Sequence, residues 1–222
     1  MSTDSRAVAT TVSSSSGSSA NFSRDHYLVL RNLVTGPALA FLHEYALKTA
    51  EFGAARLDDS QAPGTPSQYG DPIMESLMEV LLPFLEMQTG RKLHSTYAYF
   101  RVYKHGDILI RHTDRPACEI SVTLCLGYQA DGSWPICLEQ AGAAKSFALE
   151  PGDGLVYKGI ETPHWRDRFT GERAAQVFMH YVDQEGQFKE WAFDKRAALA
   201  SNPVTRQIVD GFRPFLYQRG RD

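Results

Sequence analysis

Two histidines and one aspartate in the second half of the chain could together hold a metal ion. His112 and Asp114 are separated by one residue, so on an extended segment their side chains face the same way. His164 follows a turn-and-strand stretch at 151–158, which would deliver it at a strand end. Two imidazoles and one carboxylate cover one face of an octahedral Fe(II) site and leave the remaining positions open. The spacing therefore predicts a metal site formed by these residues.

His180 is the alternative third ligand, because it also lies on a strand-like segment. Its neighbours at 177–179 are apolar, and no turn precedes it as one precedes His164. These flanks are typical of a core histidine, so we favour His164 as the ligand. His94 and His105 lie close to the pair in sequence but lack partners at ligand spacing.

Composition excludes several classes of protein. The chain has 222 residues, 43% of them hydrophobic, which is enough for a buried core without disulfides. Its net charge of −3 disfavours a nucleic-acid partner, and no apolar run approaches the roughly 18 residues of a membrane span. The three cysteines form no CxxC pair and no apolar leader begins the chain, which predicts a reducing, cytoplasmic location.

The predicted secondary structure that positions the metal site is helical in the first part of the chain and strand-rich in the second. Apolar residues at helical spacing predict helices over 37–52 and 72–89, the second ended by Gly90. Strand-like runs separated by turn residues then extend from 95–103 to 174–182. This order predicts a mainly β (α+β) fold, a sandwich or barrel with the N-terminal helices packed outside.

The local residue composition also predicts how the chain divides into parts. A Ser-rich start with few apolar residues predicts a disordered tail, and a long loop rich in Gly and Pro between the helices could act as a lid. We expect a tail at 1–20 and a single domain at 21–222. The domain comprises a helical part 21–92, which contains the lid loop 53–71, and a strand-rich core 93–183. A C-terminal extension 184–222 follows, with short helices at 193–200 and 203–213.

The segments around the predicted ligands carry further motifs. The stretch 103–106 reads Tyr-Lys-His-Gly and leads into the His-x-Asp pair, and the stretch 162–164 reads Thr-Pro-His. Arg173 follows the second histidine by nine residues, and a strand-like segment follows at 176–183. On these motifs the sequence resembles the Fe(II)/2-oxoglutarate-dependent dioxygenases, most of all their prolyl-hydroxylase-like branch.

This resemblance implies a fold, cofactors and ligands. The implied fold is a double-stranded β-helix, or jelly-roll, barrel. The implied enzyme uses Fe(II), O2 and 2-oxoglutarate as co-substrate, with ascorbate in a supporting role. His112, Asp114 and His164 would be its iron ligands and catalytic residues.

The resemblance also implies a cation for the far carboxylate of 2-oxoglutarate. Arg173 is the predicted partner, because a buried carboxylate requires a paired cation and the planar guanidinium matches it with two donors. Arg166 and Arg168 are alternatives if the turn after the second histidine is longer than assumed. Tyr103 or Thr123 is expected to provide a second contact.

Other polar side chains near these motifs are predicted to contact the primary substrate. Tyr99 and Arg101 share one face of the strand at 95–103, which we interpret as a pocket wall rather than the solvent face of an edge strand. Arg115 and Trp165 lie beside the metal ligands and are also predicted substrate contacts. The basic residues around the ligands indicate either an anionic or polar substrate or a solvated rim.

The resulting prediction is an oxygenase that hydroxylates an unactivated C–H bond and releases succinate and CO2. Its primary substrate is an unidentified small molecule or protein side chain. Asp114 disfavours halogenation, because halogenases of this family replace that carboxylate with a small residue. The alternatives are a cupin-like metal-binding barrel without redox turnover and a zinc hydrolase, although the chain has no HExxH segment.

Overall fold

The computed structural model describes residues 15–52 and 55–200, with side chains from residue 18 onward. This part of the chain contains three α-helices, ten strands and two short 3₁₀ segments. The helices are α1 Ser15–Asp25, α2 Gly36–Glu51 and α3 Pro72–Thr89, and the 3₁₀ segments are Pro116–Cys118 and Lys189–Lys195. The strands are β1 Tyr27–Leu30, β2 Ser67–Tyr69, β3 Leu93–Lys104, β4 Leu109–His112, β5 Ile120–Gln129, β6 Ile136–Gln140, β7 Ala143–Phe147, β8 Gly154–Tyr157, β9 His164–Arg166 and β10 Arg173–Asp183.

The strands form two antiparallel sheets. One sheet has the order β1-β8-β5-β10-β3-β2, and the other has the order β4-β9-β6-β7. Apolar side chains of both sheets meet between them, including Leu155 from β8 and Leu138 from β6. Two facing antiparallel sheets are the architecture of a jelly-roll, so the predicted mainly β class is confirmed. Within the described residues the two sheets share no strand and do not close into a continuous barrel.

The larger sheet separates a helix-packed face from a face directed at the second sheet. On β3, Phe100 and Val102 pack with Leu42 of α2 and Met78 of α3 in one hydrophobic core. The residues that alternate with them, including Arg101, therefore point toward the other sheet. This alternation delivers polar side chains into the interior between the sheets.

Helix α3 has the predicted bounds, and both of its ends have a local cause. The Asp71 carboxylate accepts hydrogen bonds from the backbone N–H groups of Ile73 and Met74, each at 3.0 Å. Gly90 ends the helix in the left-handed conformation at φ 70°. Asp71 also accepts a hydrogen bond from the Tyr45 hydroxyl of α2, so this cap links the two helices that cover the sheet.

Asp71→Ala is expected to lower the free energy of unfolding by about 1–2 kcal/mol, because it removes the helix cap and the acceptor for Tyr45. Urea unfolding of the variant and the parent protein measures this difference. Tyr45→Phe separates the two contributions, since it removes the link between the helices and leaves the cap intact. An unchanged unfolding midpoint in Asp71→Ala would contradict this account of the helix start.

The structure differs from the sequence prediction at both ends of the described region. Helix α1 begins at Ser15, inside the predicted tail 1–20, and its Phe22 is fully buried. The predicted helix at 193–200 does not form: the 3₁₀ segment ends at Lys195, and Phe193, Asp194 and Lys195 have positive φ angles of 53°, 56° and 59°. Residues 1–14 of the predicted tail and the predicted helix at 203–213 lie outside the described residues. Among the described helices, none has the length and hydropathy required to cross a membrane.

Candidate metal centre

Paired strands of the smaller sheet bring the three predicted ligands together. His112 is the last residue of β4 and His164 the first residue of β9, and the two are direct partners in the antiparallel pairing. Asp114 follows β4, where its backbone N–H donates to the Gly159 carbonyl at 3.0 Å. Its Oδ1 lies 3.6 Å from Nε2 of His112 and 3.6 Å from Nε2 of His164. One ligand atom from each residue thus faces a shared point.

Both imidazoles are held in the orientation that metal binding requires. Nδ1 of His112 lies 2.6 Å from the Ile110 carbonyl, and Nδ1 of His164 lies 3.0 Å from the Thr162 carbonyl. A carbonyl only accepts, so each Nδ1 carries a proton, and in the neutral form of the ring this leaves the lone pair on Nε2, the nitrogen that faces Asp114. Burial lowers the pKa of His164, which favours the neutral imidazole that a metal ligand must be.

The Asp114 carboxylate is ionised and oriented by its neighbours. Burial acts to raise its pKa, but the polar groups around the carboxylate, among them the donating Ser121 hydroxyl, outweigh burial and hold the pKa well below its usual range. Oδ2 accepts a hydrogen bond from the Ser121 hydroxyl at 2.7 Å, which leaves Oδ1 facing the two histidines. The three side chains therefore offer two imidazole nitrogens and one anionic oxygen.

A second group of potential ligands shares Asp114 and contains Cys118 and His180. Burial raises the pKa of the Cys118 thiol, and a protonated thiol is a poor metal ligand. His180 is buried, its Nδ1 lies 2.9 Å from the Ser121 hydroxyl, and burial lowers its pKa to about 4. His180 is therefore a neutral, hydrogen-bonded interior histidine, and the group with His112 and His164 is the better metal site.

A buried cation lies two residues beyond His164 on the same face of β9. Arg166 is 1% exposed, and its guanidinium donates to the Trp134 carbonyl and to the Gln176 side chain. Both of these acceptors are neutral, no carboxylate of the described residues pairs with Arg166, and its Nε has no hydrogen-bond partner there. Burial lowers the pKa of Arg166 because no anion compensates its charge. The Thr123 hydroxyl, also buried between the sheets, is unpartnered in the same part of the chain.

The ligands line a small cavity of about 30 Å³, which is room for about one water molecule. Tyr99 and Arg101 form part of its wall. Asp59, from the loop between α2 and β2, pairs with Arg101 and accepts a hydrogen bond from the Tyr99 hydroxyl at 2.5 Å. Gln61 of the same loop accepts a hydrogen bond from Arg101 at 2.9 Å. Residues 59–61 of the predicted lid loop 53–71 thus lie against the metal cavity.

Comparisons with known proteins show which solved structures share this fold. No family model matches the chain, and no curated protein matches it. A prolyl hydroxylase from Trichoplax adhaerens, solved with a hypoxia inducible factor peptide, superposes with a TM-score of 0.66 at 13% identity over 82% of this chain and 93% of that one. A Pseudomonas putida prolyl-4-hydroxylase gives 0.63 at 14% identity over 77% and 99%. The α-ketoglutarate dependent epimerase SnoN from nogalamycin biosynthesis gives 0.65 at 13% identity over 76% and 82%.

The chain has the fold of the Fe(II)/2-oxoglutarate oxygenases. The resemblance drawn from the sequence motifs is confirmed at the level of the fold, including the prolyl hydroxylases among its neighbours. Those neighbours comprise hydroxylases and an epimerase, so the oxygenase fold does not by itself select a reaction or a substrate.

Within this oxygenase fold, Arg173 does not reach the interior. It is exposed at the first position of β10 and lines a surface groove with Leu47 of α2. Side chains alternate along a strand, and on β10 the even positions face the interior, where Gln176 contacts Arg166, and Phe178 and His180 line the metal cavity. The placement argues against the predicted role of Arg173 in co-substrate binding. Arg168, the other alternative, is exposed as well.

The remaining predicted site residues divide between the interior and the surface. Tyr103 is fully buried, and its hydroxyl accepts a hydrogen bond from Arg101 at 3.2 Å. Arg115 pairs with Asp194 and does not line the metal cavity. Trp165 alternates with the buried residues of β9, and the Arg111 guanidinium lies 5.9 Å from its ring centroid. Neither Arg115 nor Trp165 occupies the predicted substrate-facing position.

Gly159 is a site residue that the sequence analysis missed. A Cβ atom built on it would overlap the Asp114 carboxylate and the Ser121 hydroxyl. The backbone at this position therefore packs directly behind the carboxylate ligand, where a larger residue has no room. The sequence signal was the lone glycine in the loop between the β8 strand and His164, which marks a close approach as readily as a turn.

Gly159→Ala is expected to weaken Fe(II) binding by roughly 10–100-fold, because the added methyl group displaces the Asp114 carboxylate. Anaerobic titration with Fe(II) against a competing chelator measures the change. Gly132→Ala is the matched control, since a Cβ there meets nothing within 4 Å. Equal affinities in the two variants would contradict the close packing behind Asp114.

Proposed function

We propose that the chain is an Fe(II)- and 2-oxoglutarate-dependent oxygenase that hydroxylates an unactivated C–H bond of a small molecule or protein side chain. The observation that carries this proposal is the pairing of two features on one strand face. His164 offers a lone pair to a metal, and Arg166, two residues away, is a buried cation without an anionic partner among the described residues.

The two features fit a dicarboxylate that bridges a metal and a guanidinium. Residues i and i+2 on a strand are roughly 6–7 Å apart, a separation that suits a short carbon chain with an acidic group at each end. A buried guanidinium without a counter-ion is costly, and a carboxylate would offset that cost with two parallel hydrogen bonds. The free Nε of Arg166 and the unpartnered Thr123 hydroxyl are donors available for this purpose.

The residues of the chain have distinct roles in the proposed reaction. His112, Asp114 and His164 would hold Fe(II), and their backbone and Ser121 hydrogen bonds fix the ligand atoms in place. Arg166 would bind the far carboxylate of 2-oxoglutarate, with Thr123 as its neighbour. Bound Fe(II) and 2-oxoglutarate would supply the oxidising chemistry, in which O2 converts 2-oxoglutarate to succinate and CO2 while the substrate is hydroxylated. The facing sheets keep bulk water from this interior.

The direct test is spectroscopic. Purified protein is loaded anaerobically with Fe(II) and then with 2-oxoglutarate, and the visible charge-transfer band of the chelate is recorded. We expect the band with 2-oxoglutarate and not with succinate, which lacks the keto group. On admission of O2, slow release of succinate without any added substrate is expected. Iron binding with neither the band nor succinate would instead support a metal-binding barrel without redox turnover.

A further inference from the structure

Arg101 is the second buried guanidinium near the metal centre, and a carboxylate of the chain itself occupies it. Its side chain is 5% exposed, on the face of β3 that lines the metal cavity. Asp59 Oδ2 accepts hydrogen bonds from Arg101 Nε at 2.9 Å and from Nη2, and the same oxygen accepts from Tyr99. Arg101 and Asp59 thus form a closed, buried ion pair next to the metal ligands.

The two partners of this pair differ in how easily they can move. Arg101 is fixed on a strand that pairs with β10 on one side and β2 on the other, and its guanidinium packs over Tyr99 and Phe178. Asp59 lies on a loop, and its neighbour Asp58 is exposed. Loop displacement would return the Asp59 carboxylate to water but leave Arg101 buried.

The cavity is too small for a substrate while the loop segment at 59–61 is in place. Its volume of about 30 Å³ holds roughly one water molecule, and Gln61, two residues beyond Asp59, lines it, so a larger molecule that enters on this side must displace the segment. Displacement leaves Arg101 as an uncompensated buried cation, a penalty equivalent to roughly a hundredfold or more in an equilibrium constant. A ligand that brings its own carboxylate removes this penalty, whereas a neutral or cationic ligand does not.

We infer that Arg101 is the receptor for a carboxylate on the primary substrate, and that Asp59 occupies the receptor until the substrate displaces it. This inference rests on the proposed function, because it names the substrate class of the same site. The planar guanidinium fork already binds a carboxylate of the chain, which favours that group over other anions. Tyr99 and Phe178 provide aromatic walls for the apolar body of the substrate. Arg166, which has no such internal partner, is left for the co-substrate.

The test uses metal-free protein and acetate, so it does not depend on oxygenase activity. Asp59→Ala should open the receptor, and acetate should then raise its melting temperature and bind with a Kd on the order of millimolar, about tenfold tighter than to the parent protein. Acetamide at the same concentration should have no effect. Asp58→Ala is the matched control, because Asp58 is exposed and pairs with Arg56 rather than Arg101. Asp59→Asn, which keeps the side-chain volume, should give the same acetate response if Asp59→Ala folds poorly.

Three outcomes would overturn the inference. The first is an acetate response in Asp58→Ala as large as in Asp59→Ala or Asp59→Asn. The second is an acetate response that survives when Arg101→Gln is added to the Asp59 variant. The third is an Arg101→Gln single variant that raises the 2-oxoglutarate requirement as an Arg166 variant is expected to, which would assign Arg101 to the co-substrate and leave the proposed function standing. If the charge-transfer band does not appear but the acetate response is as expected, the carboxylate receptor at Arg101 stands and the proposed oxygenase function fails.

Discussion

Asp114→Ala is expected to abolish measurable Fe(II) binding. The variant removes the only anionic ligand of the candidate site, toward which Nε2 of both His112 and His164 is directed at 3.6 Å. Loss of a residue that merely supports a ligand typically costs 10–100-fold in metal affinity, so loss of the ligand itself should exceed roughly a hundredfold. Anaerobic equilibrium dialysis against Fe(II) measures this directly, without a substrate.

The controls for this experiment separate the two groups of ligands that share Asp114. Asp131→Ala removes an exposed carboxylate and should leave iron binding unchanged. His164→Ala should lose iron, whereas His180→Ala should retain it, because Nδ1 of His180 is hydrogen-bonded to the Ser121 hydroxyl rather than directed at the point that His112 and His164 share. Iron loss in His180→Ala together with retention in His164→Ala would assign the metal to the group formed with Cys118.

Features that depend on residues close together on one helix or strand, or on ligand chemistry at strand ends, were predictable from the sequence. Helix α3 and its glycine cap follow from local spacing and end chemistry, and the structure has them where the pattern places them. The convergence of His112, Asp114 and His164 was predictable because a His-x-Asp segment and a strand-end histidine have complementary ligand chemistry. The alternation along β3 likewise placed Tyr99 and Arg101 on one face.

The co-substrate cation was not predictable from spacing alone. Arg173 lies nine residues after His164, but on a strand the face of a side chain depends on whether its position is odd or even, and a shift of one residue reverses it. The turn between β9 and β10 determines that parity, and the sequence does not specify its path. Asp59 was missed for a related reason: its partner Arg101 is 42 positions away, and no local pattern connects them.

Arg166 carries the last prediction, on which the co-substrate assignment depends. Arg166→Ala should bind Fe(II) normally, because the side chain contacts Trp134 and Gln176 rather than the metal ligands. Removal of one partner of a buried charge pair costs roughly 3–5 kcal/mol, which corresponds to about two to three and a half orders of magnitude in 2-oxoglutarate affinity. Titration of the charge-transfer band against 2-oxoglutarate measures this loss, and iron binding serves as the test that the variant is folded.

The 2-oxoglutarate affinity of Arg166→Lys should lie between those of the parent protein and Arg166→Ala, since lysine keeps the charge but loses the two-pronged donor geometry. Arg173→Ala and Arg168→Ala are the matched controls, because both guanidiniums are exposed, and neither should change the 2-oxoglutarate requirement appreciably. If Arg173→Ala raises the requirement and Arg166→Ala does not, the exposed arginine must fold inward when the co-substrate binds, and the interior face of β10 would need a different register. If none of the three variants raises it, the buried guanidinium has another counter-ion, and the 2-oxoglutarate proposal loses the observation that carries it.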